Sequence, residues 1–320
     1  MAPLCAGLLA FVGRLDVLAA AIAYTVFEKR ALGEARPTTG RNTMTATPAP
    51  LSAPQVRAYL DRIGLASMPA DAAPSVELLD ALIRAHQLSV PFSTADIAGR
   101  GIAPSLELDA LYKKIVEDRH GGFCFELNML FDKLLLSLGF DARPCLSRSV
   151  RGREQTAPIN HRGELVLVDG GLRFADVGFG GPICAASIPV APGGEADDGM
   201  YRFICEEHGG GWWRLDRITG GQGDIFGDAY EVRRQTELMF CDAPVEDKDF
   251  NLLSQALSLP GSLFQDTFIV NLRTEAGYIG IKDMALKQRG GGETREELFE
   301  TAAQRAERMR ELVGFAPYGE

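Results

Sequence analysis

The most informative segment of the chain reads His120-Gly121-Gly122-Phe123-Cys124-Phe125-Glu126-Leu127-Asn128. Its two glycines interrupt a charged helical run, and an apolar helical pattern begins at Phe125 and continues to Phe140. Cys124 is therefore predicted at a helix N-terminus, where unpaired backbone N–H groups and the helix dipole stabilise a thiolate and lower the pKa of the cysteine. This placement predicts a nucleophile. The alternative is a small buried hydrophobe between two phenylalanines, whose pKa burial would raise.

Two downstream segments offer partners for such a cysteine: Asn160-His161 and Asp176-Val177-Gly178-Phe179-Gly180. The β-rich segment between them is interrupted by Asp169-Gly170-Gly171, which predicts a hairpin. With a two-residue turn at Asp169 and Gly170, His161 and Asp176 share one face as diagonal neighbours, about 7–8 Å apart. A three-residue loop would place them on opposite faces. Cysteine, histidine and aspartate in this order are typical of a nucleophile, a base and a group that orients the base.

These motifs resemble the arylamine N-acetyltransferases, including the spacing of the three residues. The resemblance extends to Tyr59-Leu60-Asp61-Arg62-Ile63-Gly64 and to His86 followed by Val90-Pro91-Phe92, and it is weak beyond Pro182. It implies that Cys124 is acetylated, that His161 moves the proton and that Asp176 fixes the tautomer of His161. Acetyl-CoA would be the co-substrate, with no bound cofactor, and a small aromatic amine or hydrazine would be the acceptor.

The same resemblance and the positions around Cys124 nominate further site residues. Glu126 and Asn128 lie one turn into the predicted helix and are expected to support the site. The backbone N–H groups from Gly178 to Gly181 could help to bind the anionic donor, although a turn after a strand is the alternative. The candidate substrate-binding residues are Phe179, Phe92, Phe125, Gly178 and Gly180. Core packing is the alternative for each of the three phenylalanines.

The chain departs from the family pattern at two places. The family usually has Arg where this chain has His120, and Glu-Asn-Leu where it has Ser93-Thr94-Ala95. In the family, that Arg and that Glu resemble an ion pair near the site. Loss of one partner of a buried pair costs about 3–5 kcal/mol, whereas loss of both can be nearly neutral. The double change therefore favours compensation, and it leaves open whether Arg119 takes the role.

Composition excludes several classes of function. The chain has 320 residues, of which 46% are hydrophobic and 24% charged, and a net charge of −10. An acidic globular chain has no basic field for nucleic acid or an anionic membrane. The six cysteines lack zinc-ligand spacing and there are only four histidines, so no metal site is expected. Scattered cysteines indicate a reducing compartment, and we expect a cytoplasmic protein.

The periodicity predicts an α+β fold, and the cysteine, histidine and aspartate in this order are expected to form a core like that of a cysteine protease. Residues 1–50 are expected to be an extension, with Met44 as an alternative start or, instead, an amphipathic membrane-surface helix; their apolar runs are too short to span a bilayer. Residues 51–140 are a helical domain that carries the nucleophile, beginning with a capping box at Ser52 and Gln55. Residues 141–246 are an antiparallel β-barrel or sandwich that carries the histidine and the aspartate. Residues 247–320 are an α/β lid, with a hairpin at 275–277 and a final helix capped by Thr294 and Glu297.

Three other functions remain open at this point. A papain-like or transglutaminase-like hydrolase uses the same three residue types in the same order, with water as acceptor. An amide synthase of the same family would act on a polyketide bound to a carrier protein. A structural homologue without activity is the third, and the complete set of three residues argues against it.

Overall fold

A computed structural model of the chain describes residues 50–69, 72–100, 102–153, 157–219 and 233–317. The expectations for residues 1–49, including the alternative start at Met44 and the surface helix, lie outside these ranges.

The first part of the described chain is helical. Its elements are α1 (Ala53–Arg62), α2 (Val76–Ser89), the short strand β1 (Phe92–Ser93), α3 (Leu108–Tyr112) with a π-helical turn (Lys113–Glu117), and α4 (Cys124–Ser137). The capping box at Ser52 and Gln55 is confirmed: the Gln55 side chain accepts the Ser52 N–H at 2.9 Å.

Helix α4 lies at the centre of this part. Every residue from Cys124 to Asp132 is buried, and the helix packs against α1, α3 and two strands of the central sheet. The helix has no face turned to water over this stretch, so its polar side chains, Glu126, Asn128 and Asp132, need partners inside the protein. The helix ends before Gly139, whose φ of 87° suits a residue without a side chain.

The central part is an antiparallel sheet of eight strands. The strands are β2 (Asp141–Ser149), β3 (His161–Val168), β4 (Gly171–Ala175), β5 (Ile188–Pro189), β6 (Gly194–Asp197), β7 (Arg202–Gly209), β8 (Trp212–Thr219) and β9 (Arg233–Cys241). Their order in the sheet is β5-β4-β3-β2-β9-β8-β7-β6, and the two edge strands contact each other. The sheet is therefore a nearly closed barrel.

The hairpin of β3 and β4 has the predicted two-residue turn. Val168 pairs with Gly171, and Asp169 and Gly170 have φ of 49° and 75°. Positive φ at both central residues is typical of the type I′ turn that an Asp-Gly pair favours. Along β3, Leu165 packs inside the barrel and Val166 packs in the helical core, so this strand belongs to both cores.

The last part of the chain forms a second sheet with flanking helices. Its elements are a 3₁₀ turn (Asp247–Asp249), α5 (Phe250–Ser258), α6 (Leu263–Asp266), β10 (Ile269–Thr274), β11 (Gly277–Lys282), β12 (Ala285–Gly290), β13 (Glu293–Leu298) and α7 (Ala302–Val313). The predicted hairpin at 275–277 is confirmed by the pairing of β10 with β11. Strand β1 pairs with β10, so this sheet includes two residues from the helical part.

The predicted start of the final helix is wrong. Thr294 and Glu297 lie in β13, which pairs with β12, and α7 begins only at Ala302, after the N-cap Thr301. The Thr301 hydroxyl accepts the Gln304 N–H at 3.1 Å. Strand β13 is an edge strand, and all but one of its side chains are exposed. Its sequence therefore shows no alternation of apolar and polar residues. Thr294 and Glu297 have the spacing of a capping box although they lie in a strand.

The described residues thus form an α+β fold with a helical part, a barrel and an α/β part. None of the helices in these ranges is long and apolar enough to cross a bilayer. Within the same ranges, no group of His, Cys, Asp and Glu side chains is arranged to hold a metal ion.

Candidate active site

Cys124 is the first residue of α4. The turn before it is held by Glu126, whose Oε2 accepts the Phe123 N–H at 3.0 Å. Gly122 leaves room for this contact, because a Cβ there would lie 3.1 Å from both Cβ and Oε2 of Glu126. The first N–H groups of a helix have no partner within the helix, so the sulfur lies where negative charge is favoured.

His161 and Asp176 meet at the open end of the β3–β4 hairpin. His161 is the first residue of β3, and Asp176 directly follows β4. Their Nε2 and Oδ2 atoms are 2.6 Å apart, and both side chains are buried. Burial disfavours charge on the imidazole, but Asp176 and Cys124 outweigh it and raise the pKa of His161 to about 10. Since Nε2 bonds Asp176, Nδ1 is left for Cys124.

The second carboxylate oxygen of Asp176 accepts two hydrogen bonds. Its Oδ1 accepts from Nδ2 of Asn128 at 2.9 Å and from the Gly178 N–H at 2.8 Å. Asn128 also accepts the Val177 N–H at 2.9 Å and donates to the Arg162 carbonyl at 2.6 Å. This buried amide of α4 therefore holds the ends of both strands of the hairpin against the helix of the nucleophile.

Gly178 lies directly against Cys124. A Cβ at this position would be 3.0 Å from Cα of Cys124 and 3.1 Å from its carbonyl oxygen, so only glycine allows the close approach. The Gly178 N–H is bonded to Asp176. This N–H is therefore already engaged within the protein, and the role of the N–H groups from Gly178 to Gly181 in binding an anionic donor stays a prediction.

A pocket of about 360 Å³ is lined by Val177 and Phe179, the two neighbours of Gly178 in the chain, but not by Cys124, His161 or Asp176. Three of the nominated residues line it: Phe92, Phe179 and Gly180. The ring of Phe179 meets that of His161 edge-on, with centroids 5.5 Å apart. Gly180 has a φ of 64°, and a Cβ there would strike the Phe92 ring at 2.6 Å.

Two nominated residues are not in the pocket wall. Gly178 packs on the nucleophile instead. Phe125 is fully buried in the helical core, where its ring lies 5.4 Å from that of Phe123 and 5.8 Å from that of Phe250. Of the two interpretations of Phe125, the structure agrees with core packing.

A family model described as N-acetyltransferase matches residues 75–315. The chain belongs to the arylamine N-acetyltransferase family. The arylamine N-acetyltransferase of Mycolicibacterium smegmatis is 29% identical to it over 252 residues, which cover 77% of this chain and 86% of that relative.

Two further similarities bear on this arylamine N-acetyltransferase family member. Proansamycin X synthase of Amycolatopsis mediterranei (strain S699) is 29% identical over 168 residues, which cover 51% of this chain and 64% of the synthase, so less than two thirds of that relative is matched. The solved structure of Mycobacterium marinum arylamine N-acetyltransferase in complex with CoA has a TM-score of 0.71 at 23% identity. That match covers 81% of this chain and 92% of the other and shows the shared fold.

The departures from the arylamine N-acetyltransferase pattern coincide with a buried ion cluster, which we define as Lys114, Asp96 and Glu126. Nζ of Lys114 lies 2.7 Å from Asp96 and 2.8 Å from Glu126. Glu126 is 1% exposed; burial raises the pKa of its carboxyl despite the nearby lysine. Arg119 is exposed, so the cation beside Glu126 is Lys114. His120 packs on the Phe315 ring, with centroids 5.1 Å apart.

A second buried cluster was not foreseen from the sequence. Arg162 follows His161 and is fully buried, with Nε 2.6 Å from Glu164 and Nη1 2.8 Å from Asp247. Lys133 of α4 pairs with Asp132 at 2.7 Å and with Asp247 at 2.5 Å. The cluster joins α4, β3 and the 3₁₀ turn. Charged residues in a buried strand were the available signal, since Arg162 and Glu164 flank Gly163 in an otherwise apolar segment.

Proposed function

We propose that the protein transfers an acetyl group from acetyl-CoA to small aromatic amines or hydrazines through an acetyl-cysteine on Cys124. The observation that carries this proposal is the hydrogen-bonded pair of His161 and Asp176, 2.6 Å apart, beside a cysteine at the start of a helix. The pair supplies a base with a defined tautomer next to the sulfur of Cys124. Membership of the arylamine N-acetyltransferase family supports the choice of donor and acceptor.

The first half-reaction loads the enzyme. Nδ1 of His161 takes the thiol proton, and the Cys124 sulfur attacks the thioester carbonyl. The bond from that carbonyl to the CoA sulfur breaks, and CoA leaves with the proton from His161. Asp176 holds the Nε2–H throughout and stabilises the imidazolium.

The second half-reaction transfers the acetyl group from the enzyme to the amine. The neutral amine attacks the acetyl-cysteine, His161 takes the proton from the amine nitrogen, and the amide leaves as the Cys124 thiolate is regenerated. Cys124 and His161 are each 2% exposed, which limits the access of water to the thioester. Burial of the site therefore favours transfer over hydrolysis.

Amide synthesis on a carrier-bound acyl chain is a second candidate, favoured by the similarity to proansamycin X synthase. The covalent chemistry would be the same, but the donor would be a carrier protein. The pocket of about 360 Å³ is better suited to a small acceptor. A cavity of about 150 Å³ already binds benzene, so a pocket of about 360 Å³ has room for a substituted ring.

Mass spectrometry tests the proposal. Incubation with acetyl-CoA and no amine is expected to add one acetyl group, located on Cys124 by peptide mapping, and aniline should then discharge it. The variant Cys124→Ser should gain none, whereas Cys241→Ser, a buried cysteine outside the site, should load normally.

Other results would assign another function. An adduct on a different cysteine would contradict the assignment of the nucleophile. Loss of the acetyl group to water as fast as to aniline would identify a hydrolase. Loading from an acyl carrier protein but not from acetyl-CoA would identify the amide synthase.

A further inference from the structure

Gln87 is a buried polar residue of α2 that takes no part in the proposed reaction. It lies four residues after Ile83, on the side of the helix that packs inside the protein. A buried amide needs acceptors for its two N–H groups, because an unpartnered polar group in the interior is costly. The partners of Gln87 therefore show what this side chain holds in place.

The amide nitrogen of Gln87 donates to two backbone carbonyls. Nε2 lies 2.9 Å from the carbonyl oxygen of Asp176 and 3.1 Å from that of Cys184. The amide oxygen lies 3.5 Å from Nη1 of Arg273, which is a long contact. These neighbours fix the orientation of the amide, because a flipped group would point its oxygen at two carbonyl oxygens. Both N–H groups of Gln87 are thus directed at the backbone.

The carbonyl of Asp176 lies just beyond the ladder of β3 and β4. The last pair of that ladder is Glu164 with Ala175, so the neighbouring strand does not hold Asp176. The side chain of Asp176 is bonded by Asn128 of α4, whereas its carbonyl is bonded by Gln87 of α2. Two helices therefore fix one residue, one through the side chain and the other through the main chain.

A second residue of α2 bonds the segment that follows Asp176. Oδ1 of Asp80 accepts the Ser187 N–H at 2.7 Å and the Ser187 hydroxyl at 2.6 Å. Asp80 and Gln87 are seven residues apart, about two helical turns, and so share one face of α2. This face binds the chain at Asp176, Cys184 and Ser187. Of these three contacts, the one with Asp176 reaches a proposed catalytic residue.

We propose that Gln87 is a positioning residue of the acetyl-transfer site, which fixes the backbone of Asp176 and thereby directs its carboxylate at His161. The proposal rests on the acetyl-transfer function above, in which Asp176 holds the Nε2–H of His161. The two side chains meet at 2.6 Å, and a displacement of about 1 Å in an active site can lower a rate about 100-fold. A change at Gln87 therefore acts on the reaction through Asp176.

Gln87 also lines the pocket, so a contact with a bound molecule is the alternative role. The hydrogen bonds favour positioning. Both N–H groups of the amide are already donated to carbonyls of the protein, and its oxygen faces the guanidinium of Arg273.

The test follows the imidazole of His161 by NMR. The chain has four histidines, so ring-¹⁵N-labelled histidine gives few signals, and His161→Gln assigns the one of interest. Burial lowers the pKa of His161, but Asp176 and Cys124 outweigh it and raise this pKa to about 10. A displaced carboxylate stabilises the imidazolium less, so the pKa of His161 reports the placement of Asp176.

Gln87→Met keeps the length of the side chain but removes both donors. We expect a lower pKa of His161 and a kcat for acetyl transfer to aniline that is about 10- to 100-fold lower. Gln87→Asn keeps the amide on a shorter side chain that cannot reach both carbonyls, and it should shift both quantities in the same direction.

Ser187→Ala is the matched control. It removes a hydrogen bond to the same face of α2 without changing the contact to Asp176, so the pKa of His161 and kcat should stay as in the intact protein. In an Asp176→Asn background, Gln87→Met should not shift the pKa of His161 further, because the carboxylate through which Gln87 acts is absent.

The NMR measurement needs no turnover, so it tests the inference even if no acetyl transfer is detected. An unchanged pKa of His161 in folded Gln87→Met or Gln87→Asn would overturn the inference. Equal shifts of this pKa with and without the Asp176 carboxylate would overturn it as well. A rise in KM alone would assign Gln87 to the pocket wall.

Discussion

Asp176 is the residue on which the geometry of the proposed base depends, because its two oxygens bond His161, Asn128 and Gly178. Asp176→Asn replaces one oxygen with an N–H₂ group and favours the wrong tautomer of His161. We expect kcat to fall by about 10⁴-fold, the loss that a comparable change causes in a serine protease. Circular dichroism should show an intact fold.

Asp141→Asn, at an exposed position at the start of β2, serves as the control and should retain activity. Normal turnover by Asp176→Asn at an unchanged melting temperature would mean that His161 is oriented by another group.

The charge of His161 makes stability depend on pH. Its pKa is raised to about 10 in the folded protein, above the ordinary value of 6.5. The folded state therefore binds the proton more tightly, and its contribution to stability is complete below about pH 6.5 and is lost as the pH rises through about 10. Between pH 7 and pH 10, the free energy of unfolding of the intact protein should fall more steeply than that of His161→Gln. Urea titrations at both pH values measure the two slopes, and equal slopes would refute the imidazolium.

Among the secondary-structure elements, α4 depends on the buried cluster of Lys114, Asp96 and Glu126. Lys114→Met would leave the carboxylate of Glu126, which is 1% exposed, without a cation. We expect the free energy of unfolding to fall by about 3–5 kcal/mol. The double variant Lys114→Met/Glu126→Gln should recover part of the loss, because the buried charge is removed together with its partner.

The neighbouring Lys113→Met is the matched control. Lys113 pairs with Asp118 at the surface, where its side chain is 64% exposed, and such pairs contribute about 0–1 kcal/mol. Similar losses in Lys113→Met and Lys114→Met would show that the cluster does not stabilise the start of α4.

Local signals predicted elements well where one residue type determines the backbone. Ser52 with Gln55 marked the start of α1, and Asp169 with Gly170 specified the turn that brings His161 to Asp176. The sequence predicts no strand at β12, whose side chains are mostly half-buried. It predicts a helix start within β13, because the exposed charged side chains of that strand carry no periodic apolar signal. The pairing that makes them strands is visible only in the sheet.

Long-range contacts account for what the sequence did not show in the site. Arg151 follows β2, Arg217 lies in β8 and Arg273 lies in β10, yet all three line the same pocket. No local sequence pattern relates these three segments. The pairing of Lys114 in the ion cluster is equally unpredictable, because the sequence shows this lysine only as one of several charges on a helix. The predicted boundaries of the three domains, at 140 and 246, stay predictions.

At the scale of the whole molecule, Arg162 links the helical part, the barrel and the last part of the chain through Asp132, Glu164 and Asp247. Arg162→Met would leave the buried carboxylate of Glu164 without its cation and should cost about 3–5 kcal/mol. Because the cluster joins the parts, we expect one transition: the fluorescence of Trp212 and Trp213 in the barrel and the circular dichroism of the helices should share a lowered urea midpoint.

Arg143→Met is the control, since Arg143 pairs with Asp242 at the surface and both side chains are about two-fifths exposed, at 40% and 43%. Its midpoint should move little. Separate midpoints for the barrel and the helices in Arg162→Met, with the helices unaffected, would show that the parts unfold independently.

The proposed nucleophile and its proposed base lie on different parts of the chain, and Asn128 joins them only when α4 and the hairpin have docked. A chain emerging from a ribosome presents Cys124 before His161 and Asp176 have been synthesised, and parts of a chain fold in that order. Until docking, the cysteine lacks the proton acceptor that the folded site provides. The proposed reactivity of Cys124 therefore appears only after the chain has been synthesised beyond Asp176 and α4 has packed against the hairpin.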